Sequence, residues 1–175
     1  MKILIFPGLR QTFDYDCGAS ALQAVLVYYG IELSEDSIIK LVKTDKKNGT
    51  SVLAILKALK KYKLKYKAGR MKIKDVKNCI DRNIPVILLL QAWSGKKNFN
   101  YKNDFHDGHY VVAIGHDDNK IFFEDPYSFE RVFLEEKELK ERWHARGGKK
   151  KITNLGIAVY GKPPAFDPKK IVHME

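Results

Sequence analysis

The spacing of apolar residues changes period near Pro85, and that change limits the folds open to this chain. Before it, "CGASALQAVLVYYG" sets Ala21, Leu22, Val25, Leu26 and Tyr29 at helical spacing, with Gly30 placed to end the helix. A second helix is expected after Ser34, whose hydroxyl can cap "EDSIIKLVK" ahead of an acidic first turn. A third follows Thr50 or Ser51, with Val52, Ile55, Leu56 and Leu59 on one face, and a shorter fourth in "KIKDVKNCIDRN" carries Cys79 on its apolar side. After Pro85, "PVILLLQAW", "HYVVAIGH", "KIFFEDP" and "RVFL" read as strands, then "EEKELKERWH" as a helix and "LGIAVYG" as a last strand. This order predicts an α+β fold, an N-terminal helical part packed on a C-terminal antiparallel β-sheet.

A length of 175 residues allows a substantial core, and one domain is expected over residues 1–175, with 162–175 as a surface tail. The opening "MKILIFPGLR" reads as a strand and not as a signal peptide, because Pro7 and Gly8 break the apolar run and no small-residue cleavage pattern follows. No apolar run approaches the roughly 20 residues that cross a bilayer, so no membrane span is expected. Two cysteines, Cys17 and Cys79, cannot build a disulfide framework; they point to free thiols and a cytoplasmic location. The net charge of +11 rests mainly on scattered lysines, without a recognisable nucleic-acid module. A solvated basic surface is therefore expected, with no specific nucleic-acid partner. Residues 94–108, "SGKKNFNYKNDFHDG", form a long loop of the kind that serves as a lid or binding edge.

Cys17 stands at the start of the first predicted helix, where unpaired amide N–H groups and the helix dipole favour a thiolate. Cys79, in mid-helix among apolar neighbours, reads as structural. Among the five histidines, His109 opens one strand, Asp125 closes the next, and "HDDN" between them is a good turn. An antiparallel hairpin brings an imidazole beside a carboxylate, which could fix its tautomer and stabilise the imidazolium. Gln11, together with the Cys17 backbone N–H, could donate to the oxyanion of a tetrahedral intermediate, with the aspartates of "TFDYD" assisting the turn between them. His106 and His109 with Asp104 and Asp107 match no helical metal-binding pair, so neither metal nor cofactor is expected. His116 at the turn, His144 and His173 are expected at the surface.

The segments "QTFDYDCGASALQAVLVYYG", "NGTSVLAILKALKKYKL" and "HYVVAIGHDDNKIFFEDP" resemble the cysteine peptidase C39 family and the wider C39-like group of papain-like proteases. The resemblance runs from about Gln11 to about Pro126. It implies a papain-like fold with Gln11 as the oxyanion glutamine, Cys17 as nucleophile, His109 as base and Asp125 as orienting acid. Many members process peptide leaders after a double glycine and are fused to ABC exporters; this sequence has no membrane or ATPase segment. A soluble peptidase or amide hydrolase acting on peptide-like substrates through an acyl-enzyme is the leading expectation. Thiol acyl transfer by the same residues and a non-catalytic peptide-binding module are the alternatives.

Overall fold

Helix α1 (Cys17–Tyr28) is buried on nearly every side, from Gly18 through Ala21, Leu22, Val25 and Leu26 to Tyr28. A helix without a polar face has no solvent side, so α1 becomes the axis against which the rest packs. The computed structural model describes residues 1–97, 99–147 and 150–174; Asn98 of the predicted loop and Gly148 and Lys149 of the lysine run lie outside them. Helix α2 (Glu35–Val42) starts where Ser34 Oγ accepts the Ser37 N–H, and α3 (Val52–Lys61) where Ser51 Oγ accepts the Ala54 N–H. The amphipathic faces of both turn inward, burying Ile38 and Val42 in α2 and Ile55, Ala58 and Leu59 in α3. A fourth helix, α4 (Ile73–Asp81), buries Ile73, Val76 and Ile80.

The strands are β1 (Lys2–Ile3), β2 (Lys65–Arg70), β3 (Val86–Gln91), β4 (Gly108–His116), β5 (Lys120–Glu124), β6 (Val132–Glu135), and, after helix α5 (Glu136–Arg142), β7 (His144–Gly147), β8 (Lys150–Thr153) and β9 (Leu155–Tyr160). Among the described residues the main sheet is antiparallel, in the order β2-β9-β3-β4-β5-β6, and β1 pairs with the end of β4. β3 is buried at every position, as its unbroken apolar run requires. β1 fits beside β4 because residue 115 is glycine: a Cβ there would lie 2.8 Å from the Lys2 carbonyl oxygen.

Four features depart from the sequence expectations. "KYKAGR" forms β2 at the sheet edge, where outward-facing lysines are tolerated and the apolar alternation that marks an inner strand is missing. β7 and β8 pair as a separate two-stranded sheet after α5. His144, expected at the surface, is buried, with Nε2 2.6 Å from the Asp104 carbonyl oxygen and its own carbonyl accepting from Gln91 Nε2. His116 is also drawn in from the surface, its Nε2 lying 2.9 Å from Asp81 Oδ1. In the terminal segment, the Ala165 N–H donates to the Tyr28 carbonyl at 2.9 Å and Phe166 packs on the core.

One irregularity sets the geometry of the next section. Near the turn, β4 and β5 pair as His116 with Ile121 and Gly115 with Phe122; beyond Ile114 the register becomes Ala113 with Phe123 and Val112 with Glu124. Ile114 is the extra residue of a β-bulge. Carried onward, the shifted register places Asp125 opposite Val111, on the same sheet face as His109. Without the bulge, Asp125 would oppose Val112 and face the other way.

Candidate active site

Cys17 is the first residue of α1, and the turn before it is built by its neighbour. Asp16 Oδ1 accepts the Phe13 N–H at 3.3 Å and the Asp16 N–H reaches the Phe13 carbonyl at 3.4 Å. The amides of the first helical turn, which have no intrahelical acceptor, therefore open at the residue that carries the thiol. Gly18 lets this turn close onto β4: a Cβ at that position would lie 2.7 Å from Thr50 Cβ and 2.9 Å from the Tyr110 ring. Tyr110 is held in turn by its hydroxyl, which donates to the Thr50 carbonyl at 3.1 Å.

His109 Nε2 donates to Asp125 Oδ1 at 2.6 Å, and both side chains are buried. With Nε2 engaged, Nδ1 is the nitrogen left for Cys17. Burial works against a charged ring, but the hydrogen bond to Asp125, the polar contact with Cys17 and the attraction of both push His109 up to about 9. Burial likewise opposes the Asp125 charge, yet the hydrogen bond and charge of His109, the Tyr127 backbone N–H and the Trp93 indole hold its carboxyl below the usual range. The result is a charged imidazolium–carboxylate pair beside a cysteine at a helix start.

Gln11 is brought to the same place by its backbone, whose N–H donates to the Pro126 carbonyl at 3.0 Å. Its Nε2 spends one N–H on the Phe13 carbonyl at 2.8 Å, and an amide nitrogen has a second to give. Arg10, one residue earlier, reaches Glu124 Oε1 at 2.6 Å and the Phe129 carbonyl at 2.8 Å, while Arg131 approaches Glu124 Oε2 at 3.4 Å. The N-terminal segment is thus riveted to the end of β5.

A carboxyl pair, Asp16 with Glu35, adjoins the Cys17 turn. Asp16 is fully buried; burial, then the charge and hydrogen bond of Glu35, push it up to about 6. Glu35 accepts both the N–H (3.0 Å) and the hydroxyl (2.5 Å) of Thr12, so α2 clamps the loop between Gln11 and Cys17.

Aromatic pairs stand beside both the Cys17 turn and Asp125. Phe13 stacks on Tyr15 with ring centroids 5.3 Å apart, and Trp93 lies 5.0 Å from Tyr127. A groove of about 820 Å³ opens beside Asp125, lined on one side by apolar residues such as Leu90, Trp93 and Phe123 and on the other by the charged residues Glu138, Glu141 and Arg142 of α5. Among the described residues no three His, Cys, Asp or Glu side chains gather as a metal site. Cys79 is a free thiol partly packed against the core, and burial pushes it up.

A model of the Peptidase C39 family matches residues 6–146. The chain belongs to this family. Solved structures agree on the papain-like α+β fold of this C39 protein. The peptidase domain of Streptococcus ComA, a bi-functional ABC transporter involved in quorum sensing, superposes with a TM-score of 0.66 at 23% identity, covering 89% of this chain and 98% of that one. A double glycine motif protease from an AMS/PCAT transporter, solved with a leader peptide, gives 0.64 at 19% identity, with 94% and 99% covered. A C39-like protein from Bacillus anthracis gives 0.67 at 15% identity, with 94% and 100% covered. No curated protein matches the chain significantly. No helix among the described residues is long and apolar enough to cross a membrane.

Of the four residues singled out in the sequence, Cys17, His109 and Asp125 come together in this C39 protein, and Gln11 is tied by its backbone to the residue after Asp125. Sequence reasoning missed the surrounding contacts: Arg10 with Glu124, Asp16 with Glu35, and Trp93 on Asp125. Adjacency was the signal for the first two, since Arg10 precedes Gln11, Asp16 precedes Cys17 and Glu124 precedes Asp125.

Proposed function

We propose that this C39 protein is a cysteine peptidase or amide hydrolase that works through a Cys17 acyl-enzyme in a reducing, cytoplasmic compartment. The observation that carries this reading is the engagement of His109 Nε2 by Asp125, which leaves Nδ1 for the Cys17 thiol. His109, as the imidazolium, already holds the proton taken from the Cys17 thiol, and Cys17 Sγ attacks the substrate carbonyl carbon. The negative charge that develops on the carbonyl oxygen is met by the Cys17 backbone N–H and the free N–H of Gln11 Nε2. His109 then returns the proton to the leaving amine as the C–N bond breaks, and water, deprotonated by the same imidazole, releases the acyl group. Asp125 holds the ring and balances its charge throughout.

The substrate class is an extended peptide. The exposed rings of Phe13 and Tyr127 and the groove beside Asp125, apolar on its Leu90, Trp93 and Phe123 side and charged along Glu138, Glu141 and Arg142, supply side-chain contacts for such a chain, with a double glycine as the sequence to test first.

The test is incubation of the full chain with a peptide library that includes double-glycine sequences, read by mass spectrometry, with Cys17→Ala as control. Cleavage that disappears in the control, with Cys17 alkylated by iodoacetamide far faster than Cys79, is the expected result. Peptide binding without cleavage, and Cys17 alkylated no faster than Cys79, would overturn it.

A further inference from the structure

Trp93 has a backbone that a tryptophan rarely adopts. Its φ is +57°, in the left-handed region that bulky side chains avoid. Its neighbours hold it there: the Ala92 N–H donates to the Asp107 carbonyl at 3.1 Å, and the Ser94 N–H to Tyr101 Oη at 3.2 Å. Strain of this kind persists only where the surroundings impose it, and it gathers at functional sites.

What the strained backbone achieves is visible at the indole. Trp93 Nε1 donates to Asp125 Oδ2 at 2.9 Å, while Oδ1 takes the His109 Nε2–H and the Tyr127 N–H at 2.8 Å. Trp93 is 47% exposed and Asp125, to which its indole donates, 1% exposed, so the indole covers a carboxylate that solvent does not reach.

We propose that Trp93 is a positioning residue of the active site: its indole N–H locks the Asp125 carboxylate in the rotation that presents Oδ1 to His109, and its ring keeps water from that hydrogen bond. This rests on the hydrolase reading above only for its catalytic consequence. A carboxylate with a single occupied oxygen can rotate; one held at both oxygens cannot. Losing the indole N–H would leave a buried, charged oxygen without a partner and free the group to turn away from the imidazole.

Two variants and three readouts test this. Trp93→Phe keeps a ring and removes the N–H, and Trp93→Gly removes the strain as well. Each is followed by the proton NMR signal of His109 Nε2–H, assigned by its loss in His109→Ala, by the rate of Cys17 alkylation, and by melting temperature. The expected result is a folded Trp93→Phe whose Nε2–H signal moves and broadens and whose Cys17 reacts about 10–100-fold more slowly, the range of one hydrogen bond to a charged group. Trp93→Gly, which also relieves the backbone strain, should melt no lower than Trp93→Phe and lose reactivity just as far, an outcome that a purely structural tryptophan would not give. An unchanged Nε2–H signal with alkylation within about twofold of wild type, in whichever variant folds, would overturn the proposal. Because neither readout needs turnover, a wild-type protein that cleaves no peptide but whose Nε2–H signal depends on Trp93 would sink the hydrolase reading and sustain this one.

Discussion

Arg10 Nη1 lies 2.6 Å from the buried carboxylate of Glu124, so the segment leading to Cys17 is fastened to the end of the strand that leads into Asp125. Removing one partner of a buried pair strands the other charge. Arg10→Ala should destabilise the fold by about 3 kcal/mol, the low end for such a loss because Arg131 stays near the carboxylate. Urea unfolding of Arg10→Ala and Arg131→Ala checks this, and equal midpoints for the two would contradict it.

Gln11 is expected to act on the rate and not on substrate affinity. Gln11→Ala should lower kcat by about 10²–10³-fold with KM nearly unchanged, the usual cost of one oxyanion donor. Steady-state kinetics on any peptide found to be cleaved decides it; a rise in KM alone would assign the glutamine to binding.

The pH dependence follows from the two shifts at the dyad. His109 is pushed up to about 9, so its contribution to stability is full below the ordinary histidine value and lost as pH rises through about 9. Asp125 is held below its ordinary value, so its contribution is present above that value and lost in acid. Melting temperature should therefore fall at both ends, and His109→Ala should flatten the alkaline side. Because the imidazolium must protonate the leaving amine, kcat/KM should decline over the same alkaline range. Asp125→Ala, which removes both the acceptor and the counter-charge, should lower kcat more than Asp125→Asn, which keeps an acceptor for Nε2.

Asp16 behaves in the opposite sense to Asp125. Its acid form is the one favoured in the fold, so the stability it lends is full below the ordinary aspartate value and fades as pH climbs through about 6. Asp16→Asn keeps an acceptor for the Phe13 N–H and offers an N–H to Glu35 without the charge. Its melting temperature should exceed that of wild type at neutral pH, and the two should converge in acid. A variant less stable at neutral pH would show that the carboxylate is needed as an anion.

Much of this architecture was legible because it is written in local periodicity. The caps at Ser34 and Ser51, the run from Val86 to Gln91 and the hairpin of His109 with Asp125 all follow from residues near one another in the chain. The lysine-bearing edge strand from Lys65 to Arg70 escaped because its partner, Leu155–Tyr160, lies far along the chain and its own residues carry little strand preference. His144 escaped for a related reason: its burial depends on Asp104 and Gln91, neither of them near it in sequence. The pairing of Trp93 with Asp125 depends on a left-handed backbone at a residue that seldom adopts one, which no propensity announces.

The bulge at Ile114 also determines where the chain can change length. Residues added at the tip, around Asp117 to Asn119, lengthen the turn and leave the pairing of His116 with Ile121 intact. A single residue gained or lost between Gly115 and His109 is different in kind, because strand faces alternate and one step moves the aspartate to the far side of the sheet from its histidine. Homologous chains should therefore vary freely at the hairpin tip, while within the strand insertions and deletions should come in pairs or not at all.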